Sequence, residues 1–282
     1  MVEGLKVKMV ILSTGAPDDP NALLIKKKQF RFEPNSNILC LSSGLRADWR
    51  IDDLNIFFTL NDKTVICLFD VGKSGRKDSQ AFKIEDDFFS WLESRDESLT
   101  LVEIGSRARS GNTFRDRIPG RHQFVGVDLM EGTNVDVVAD AHSLSLQIEH
   151  NSIDAVFGVS VFEHLAMPWK VAIELNTIMR MGARGMFVTH QAWPLHDDPF
   201  DFWRYSKDSW HAIFNRSSGF KIIEAAIGDR AQIFAELQTQ DTFFPSDCFC
   251  YLVSSVLIEK TSDTELSWDV PLDEIYQGEY PE

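Results

Sequence analysis

Basic residues are scarce in this chain: 28 lysines and arginines stand against 43 aspartates and glutamates, which gives a net charge of -15. A surface of that sign repels phosphate backbones, so the composition excludes a broad nucleic-acid-binding role unless a strong local basic patch exists. The densest basic cluster, at positions 26–28 with Arg31, alternates with Phe30 and Phe32 as a solvent-facing strand does. We therefore expect no nucleic-acid partner.

Cysteines and long apolar runs are scarce as well. Only Cys248 and Cys250 of the four cysteines are closely spaced, and no second pair completes a zinc site with them, so we expect neither a metal nor a disulfide. The chain shows no apolar run of about 18 residues and no secretory leader. These absences predict a protein without a membrane span that is located in the cytoplasm.

What is present predicts two globular parts and a tail. Residues 1–83 read as short alternating strands separated by turn residues, which indicates a small β-rich N-terminal domain. Residues 84–260 alternate strand-like and helix-like segments, as in an α/β domain with a mostly parallel sheet. Helices are predicted over 168–181 and from about Asn112, and the last strand, 250–259, is expected to be antiparallel. Residues 261–282 carry acidic and no basic residues, and they predict a mobile or weakly docked tail.

Polar residues mark three strand ends in the α/β part. Gly105 follows the first strand and permits a tight turn that brings backbone N–H groups near a ligand. Roughly twenty residues later, Asp128 ends a second strand, where open α/β sheets place a carboxylate that binds ribose hydroxyls. Asp140 ends the third strand and could receive an adenine amino group. The spacing predicts a nucleoside site.

These segments resemble the class I S-adenosylmethionine-dependent methyltransferases, in particular a type 11-like group with a variant glycine loop. The resemblance is carried by E-I-G-S at 103–106, V-G-V-D at 125–128, V-D-V-V-A-D-A-H at 135–142 and I-D-A-V-F-G-V-S-V-F-E-H-L at 153–165. It implies a Rossmann-like seven-stranded, mostly parallel sheet with an antiparallel final strand. It also implies S-adenosylmethionine as the cofactor and methyl transfer to an acceptor above the strand ends.

The resemblance assigns nine residues to cofactor binding. They are Glu103, Gly105, Ser106, Gly111, Asp128, Leu129, Asp140, Ala141 and Ser160. Arg107 and Arg109 depart from the family pattern, because they stand where E-x-G-x-G-x-G has its second and third glycines and hinder close backbone approach. Either the loop is a longer variant that Gly111 closes, or cofactor binding is altered or lost.

Histidines after the fourth and fifth strands are the candidate general bases. We predict His164 and His196 as catalytic, with the alternative that His164 makes only structural contacts. His190 ends an apolar strand and is interpreted as a core or edge histidine. An alternative combines His196 with Asp197, Asp198 and Asp201 as a metal site, but our prediction assigns no metal.

The loop at 193–205 is dense in aromatic residues. Trp193, Phe200, Phe202, Trp203 and Tyr205 either form a stacking wall for a sugar or planar acceptor or fill the gap between loop and sheet. We predict a methyltransferase of a small-molecule or glycan-type acceptor that methylates oxygen. The alternatives are a catalytically silent scaffold of the same fold, which the two loop arginines favour, and a nicotinamide-dependent oxidoreductase, which would lack its G-x-G-x-x-G loop.

Overall fold

The computed structural model describes residues 79–109, 111, 113–231, 237–238 and 250–278, together with six strands within the first 70 residues. The chain divides into two compact units. One unit combines Met1–Ser79 with Asp229–Leu252, and the other combines Gln80–Gly228 with Val253–Glu282. The domain boundaries at residues 83 and 260 stay a prediction, which did not include the return of Asp229–Leu252 to the first unit.

The first unit is built from antiparallel strands. These are β1 (Leu5–Ser13), β2 (Leu23–Lys26), β3 (Phe30–Phe32), β4 (Leu39–Leu41), β5 (Asn55–Leu60), β6 (Val65–Asp70) and β13 (Leu237–Gln238). One sheet has the order β13-β1-β5-β6, with β2 also paired to β1, and β3 pairs with β4. The predicted β-rich character of this region is confirmed. Cys248 and the side chains of Cys40 and Cys67 lie outside the described residues.

The second unit alternates strands and helices. Its elements are α1 (Gln80–Glu93), β7 (Thr100–Ile104), β8 (Gln123–Asp128), β9 (Val137–Val138), β10 (Ile153–Val159), α2 (Pro168–Ile178), β11 (Met179–His190), α3 (Ser209–Ile213), β12 (Phe220–Ala231), β14 (Cys250–Lys260) and α4 (Leu272–Ile275). Three short 3-10 turns cover Arg115–Arg117, Ala141–Leu146 and Phe162–His164.

These strands form a seven-stranded sheet in the order β12-β14-β11-β10-β7-β8-β9. The pairs from β11 to β9 are parallel, whereas β14 runs antiparallel to β11. The predicted seven-stranded, mostly parallel sheet with an antiparallel final strand is therefore confirmed. Because β7, β8, β10 and β11 run in the same direction, the residues that follow them gather at one edge of the sheet.

The sheet is buried on both faces, which explains why its central strands read as nearly continuous apolar runs. On one face, α1 contributes Ile84 and Phe88 to a core that also contains Phe157 of β10. On the other face, Phe162 lies among the rings of α3 and β11, with no solvent exposure. Both layers hold the carboxyl edge of the sheet in place.

Two predicted helices differ from the structure. The helix predicted over 168–181 ends at Ile178, because Met179 is extended and pairs with Ile153 as the first residue of β11. The helix predicted from about Asn112 is absent from the described residues between β7 and β8, which contain only the 3-10 turn at Arg115–Arg117. Phe114 precedes that turn and stacks on Phe89 of α1, so side-chain packing holds this segment.

Candidate functional site

Two cavities at the carboxyl edge of the sheet share four lining residues: Gly105, Asp128, Val161 and His164. The first cavity is mostly apolar and is lined, among others, by Val127, Leu129, Ala139, Asp140, Ala141 and Phe200. The second is lined by more charged and polar side chains, including Glu103, Ser106, Arg107, Arg109, Ser160 and Asp197. Asp128 therefore stands between an apolar and a polar compartment.

Eight of the nine residues predicted for cofactor binding line one or both cavities. The exception is Gly111, which lines neither cavity and whose positive φ of 79° serves the end of the loop. The structure brings the eight together from four strand ends. Their contact with a cofactor stays a prediction.

Gly105 and Ser106 shape the wall between β7 and the cavities. Gly105 has a φ of 72°, and a Cβ on it would meet Val161 Cγ2 at 3.0 Å, so glycine is needed for both conformation and space. The Ser106 hydroxyl is buried and has no hydrogen-bond partner among the described residues. A buried hydroxyl without a partner costs stability unless a ligand or water satisfies it. The hydroxyl lies against Gly126 of β8, where a Cβ would come within 2.8 Å of Oγ.

The loop after β7 does not offer its backbone N–H groups as predicted. In the described part of the loop these groups donate to acceptors within the protein: Gly105 and Ser106 to Val127 O, Arg107 to Asp128 Oδ2, Ala108 to Thr133 O, Arg109 to Arg107 O and Gly111 to Ala108 O. The predicted tight turn is present, but its N–H groups are not directed at the cavity. Binding of an anionic group there falls to side chains instead.

Arg107 and Arg109 supply such side chains, since both line the second cavity. Arg109 donates two hydrogen bonds to Asp197, at 2.8 and 3.2 Å, which connects the loop after β7 with the loop after β11. The Arg107 guanidinium lies beside Asp128, with Nε 4.0 Å from Oδ1. The arginines that replace glycines thus border the cavities without filling them.

Asp128 and Asp140 are both held by neighbouring donors. Asp128 accepts hydrogen bonds from the backbone of Arg107 at 3.1 Å and of Met130 at 3.0 Å, which orient its carboxylate at the end of β8. Asp140 accepts from the backbone and from Nδ1 of His142, at 2.9 and 2.7 Å. Burial would raise the pKa of Asp140, but the bonds from His142 outweigh it and lower the pKa. Asp140 is therefore ionised at neutral pH.

Sequence reasoning missed His142. Its ring lines the first cavity, is 4% exposed as a residue, and accepts a hydrogen bond from the Met167 backbone at Nε2 while Nδ1 faces Asp140. It holds Asp140 in place from the next turn. The D-A-H sequence at 140–142 was the signal, because a histidine two residues after an acid can cap the same turn.

The carboxyl group of Glu103, in the second cavity, has a pKa well above its ordinary value. Burial raises the pKa to about 7, although a hydrogen bond from Asn134 and the charge of Arg115 act in the opposite direction. The Asn134 amide donates to Glu103 at 3.1 Å and to the Ser106 carbonyl at 3.0 Å. A positive charge nearby would stabilise the ionised form of this carboxyl group.

The predicted catalytic histidines differ in their access to the cavities. His164 lines both cavities, and its Nδ1 donates to the Phe200 carbonyl at 2.6 Å, which leaves Nε2 with a lone pair in the neutral ring. His196 lies behind it, with ring centroids 4.8 Å apart, and lines neither cavity. The His196 backbone donates to Asp201 at 3.0 Å, and the ring Nδ1 lies 3.3 Å from Asp201 Oδ2.

His190 is more than the edge histidine that the sequence indicated. It ends β11, its ring stacks on Trp193 at 4.7 Å, and its Nδ1 lies 2.6 Å from Oε1 of the fully buried Glu163. Burial would raise the pKa of Glu163, but His190 and the Thr189 hydroxyl outweigh it and lower the pKa. Glu163 is therefore a buried carboxylate.

No family model matches the chain, and no curated protein matches it by sequence. Solved structures do resemble it. A SAM-dependent methyltransferase from Aquifex aeolicus is 13% identical, with 65% of this chain and 90% of that chain covered and a TM-score of 0.44. One from Archaeoglobus fulgidus is 12% identical, with 64% and 95% covered and a TM-score of 0.45. The 4+2 cyclase SpnF is 12% identical, with 62% and 81% covered and a TM-score of 0.43.

The fold is assigned from the sheet itself. The sheet has the seven strands, the mostly parallel pairing and the antiparallel last strand that the resemblance implied. The second unit has a class I methyltransferase fold. Among the described residues, no helix combines the length and the apolar character that crossing a bilayer requires.

The aromatic residues of the loop at 193–205 differ in how far they are buried. Tyr205 is buried and donates to the Phe162 carbonyl at 3.0 Å, and Trp203 donates to the Leu165 carbonyl at 2.8 Å. Tyr205 therefore fills the gap between loop and sheet, whereas Trp203 is 39% exposed. Trp193 remains 46% exposed, so its outer face is open to solvent.

The segment after residue 260 was expected to be mobile or weakly docked, but residues 261–278 make defined contacts. Lys170 of α2 donates to the carbonyls of Trp268 and Val270, at 3.1 Å each. Tyr276 donates to the Pro199 carbonyl at 2.8 Å, and Leu272 lines the first cavity. The acidic segment is thus part of the cavity wall.

Proposed function

We propose that the chain is an S-adenosylmethionine-dependent methyltransferase that methylates an oxygen of a small-molecule or glycan-type acceptor. The observation that carries the proposal is the pair of cavities that meet at Asp128, with eight of nine expected contact residues on their walls. A nucleoside ligand with a polar, charged extension needs an apolar cavity next to a polar one.

In this proposal each compartment holds one part of the cofactor. The apolar cavity would hold the adenine, with Asp140 as acceptor of its amino group, and Asp128 would accept bonds from the ribose hydroxyls. The polar cavity would hold the methionine part, with Glu103 facing its positive charges and Arg109 facing its carboxylate.

The cofactor supplies an electrophilic methyl group when bound, so the protein must position the acceptor and remove its proton. His164 suits this role because it lines both cavities and its Nε2 is free to accept a proton. The exposed faces of Trp193 and Trp203 suit stacking against a sugar or a planar acceptor. A cytoplasmic location belongs to the same proposal and rests on the composition.

A catalytically silent scaffold is the second candidate, and the observation that favours it is the loop after β7, whose N–H groups bond within the protein. The two candidates differ in cofactor chemistry, since a silent scaffold would bind neither S-adenosylmethionine nor its demethylated product.

Calorimetric titration of the full chain with S-adenosylmethionine, S-adenosylhomocysteine and NAD tests the proposal. We expect both sulfur ligands to bind and NAD not to bind. Asp128→Ala removes acceptors of two ribose bonds and should weaken binding by about 1 to 3 kcal/mol, or roughly 5- to 150-fold. The control is Asp116→Ala, which removes an exposed carboxylate from the turn at Arg115–Arg117, outside both cavities. Absence of binding by either sulfur ligand, or equal affinity in Asp128→Ala, would refute the proposal.

A further inference from the structure

Glu163, His190 and His196 converge at the carboxyl edge of the sheet. One ligand atom from each residue lies within 4.8 Å of the other two. Glu163 belongs to the turn at Phe162–His164, His190 ends β11, and His196 belongs to the loop after β11. Two imidazoles and a carboxylate from three separate segments therefore face one point.

Glu163 and His190 make the closest contact in this group. Glu163 Oε1 and His190 Nδ1 are 2.6 Å apart, yet both atoms are buried and neither has a partner in hydrogen-bond geometry among the described residues. The other carboxylate oxygen, Oε2, is satisfied by the Thr189 hydroxyl. A fully buried carboxylate oxygen left in this state is costly unless a cation completes it.

The surroundings of His196 match those of a metal-bound imidazole. Its Nδ1 lies 3.1 Å from the Pro194 carbonyl and 3.3 Å from Asp201 Oδ2, so that nitrogen carries the proton and Nε2 keeps its lone pair. Asp201 is itself held by two bonds from Arg204, at 2.5 and 2.7 Å. Histidine ligands usually donate their second nitrogen to a carbonyl or carboxylate, which fixes the ring.

We infer that Glu163, His190 and His196 bind one divalent transition-metal ion of the zinc type and leave a further coordination position open. Imidazole with a single carboxylate suits zinc, cobalt or nickel, whereas magnesium and calcium select oxygen ligands. Three protein ligands with one open position are typical of zinc sites that also take a water or substrate atom. The inference goes beyond methyl transfer and does not depend on it.

A second group in the same region, His164 with His196 and Asp201, has similar spacing. Asp201 is already paired with Arg204, which neutralises the charge that a cation would need. Asp197, which the sequence-based alternative included, pairs with Arg109. Among the described residues of this region, Glu163 is the buried carboxylate with an oxygen that lacks a hydrogen-bond partner. This observation favours Glu163, His190 and His196 as the ligand set.

Metal titration of the untagged full chain, stripped with a chelator, tests the inference without any S-adenosylmethionine. Zinc is titrated by calorimetry, cobalt by its visible absorption, and magnesium serves as the oxygen-selective comparison. We expect one equivalent of zinc and of cobalt, with cobalt bands typical of a low-coordinate site, and no binding of magnesium.

The variants identify the ligands. His196→Ala removes a ring that is partly exposed, so the fold should survive while zinc affinity falls by more than about 100-fold, beyond the loss that outer-shell changes cause. Glu163→Gln should have the same effect, and His164→Ala should retain zinc. The matched control is His150→Ala, which removes an exposed histidine that precedes β10, at the opposite end of that strand from Glu163.

Two results would overturn the inference: no zinc or cobalt binding to the wild-type chain, or affinity unchanged in His196→Ala. Loss of zinc in His164→Ala with retention in Glu163→Gln would assign the ion to the second group and contradict the ligand set. Because the metal alone is the probe, a chain that binds zinc but not S-adenosylmethionine would fail the proposed function and leave the metal site standing.

Discussion

The site has two sides that are built differently. The cofactor side consists of residues 103–109 and 128–142. These segments contain the carboxyl ends of β7, β8 and β9 and the residues that follow them. The histidine side consists of the turn at Phe162–His164 and the loop at 190–205. There, the hydrogen bonds join positions far apart in the chain, as between His164 and Phe200. The positions of strand ends therefore determine the cofactor side, whereas contacts between distant segments determine the histidine side.

The difference teaches which kind of change each side tolerates. On the cofactor side, Leu129 is exposed, so its substitution should alter binding more than folding. On the histidine side, Phe162 and Glu163 have no solvent exposure and lie in the core, so substitution there should alter folding as well as chemistry.

The largest expected effect is on stability. Phe162→Ala removes a buried ring that contacts Phe187 and Trp210, at centroid distances of 4.6 and 5.3 Å, and should lower the free energy of unfolding by about 3 to 5 kcal/mol. Leu129→Ala on the cofactor side, at a site 39% exposed, should stay within about 0.5 kcal/mol. Urea unfolding measures both, and equal losses would break the comparison.

The next effect is on turnover. His164→Ala removes the proposed base and should lower the rate by on the order of 100-fold, with unchanged affinity for S-adenosylmethionine. His196→Ala should also lower the rate and spare the affinity. The rate is measured as S-adenosylhomocysteine formed with a panel of hydroxylated sugars and phenols, with His150→Ala as control. If His164→Ala lost cofactor affinity instead, the ring would be part of the cofactor side.

A smaller effect concerns pH. Glu103 has a pKa near 7 in the free protein and is therefore partly protonated below that pH, while a bound cation favours its ionised form and lowers its pKa. Affinity for S-adenosylmethionine should then rise by about tenfold between pH 6 and pH 8, as the proton no longer has to be displaced. Glu103→Gln keeps the shape and should flatten this rise. A rise that persists in Glu103→Gln would contradict the assignment of the pH dependence to Glu103.

The smallest effect tests the bridge between the two sides. Arg109→Ala removes the proposed partner of the cofactor carboxylate and the ion pair with Asp197, but the arginine side chain is 43% exposed. We expect a loss of affinity of no more than about 1 kcal/mol, or roughly fivefold, that shrinks at high salt. Tighter binding in Arg109→Ala would mean that the arginine obstructs the cavity.

Local pattern was sufficient to predict most of the sheet and the cofactor side. Alternation of strand-like and helix-like segments predicted the parallel sheet, and the chain direction of parallel strands brings Asp128 and Asp140 to the same edge wherever the strands pair. Errors arose where packing outweighs local preference. The helix predicted to reach residue 181 ends at Ile178 because Met179 is buried in the sheet, and Phe114 packs against α1 where a helix was predicted.

By itself the sequence determined the fold class and the strand ends that carry Glu103, Gly105, Asp128 and Asp140, because these depend on periodicity and on short spacings. Only the tertiary structure decided that the loop N–H groups bond inward, that residues 261–278 form part of the cavity wall, and that Glu163 and His190 face each other. Most of these contacts join segments tens of residues apart, and such contacts leave no periodic signal in a single chain.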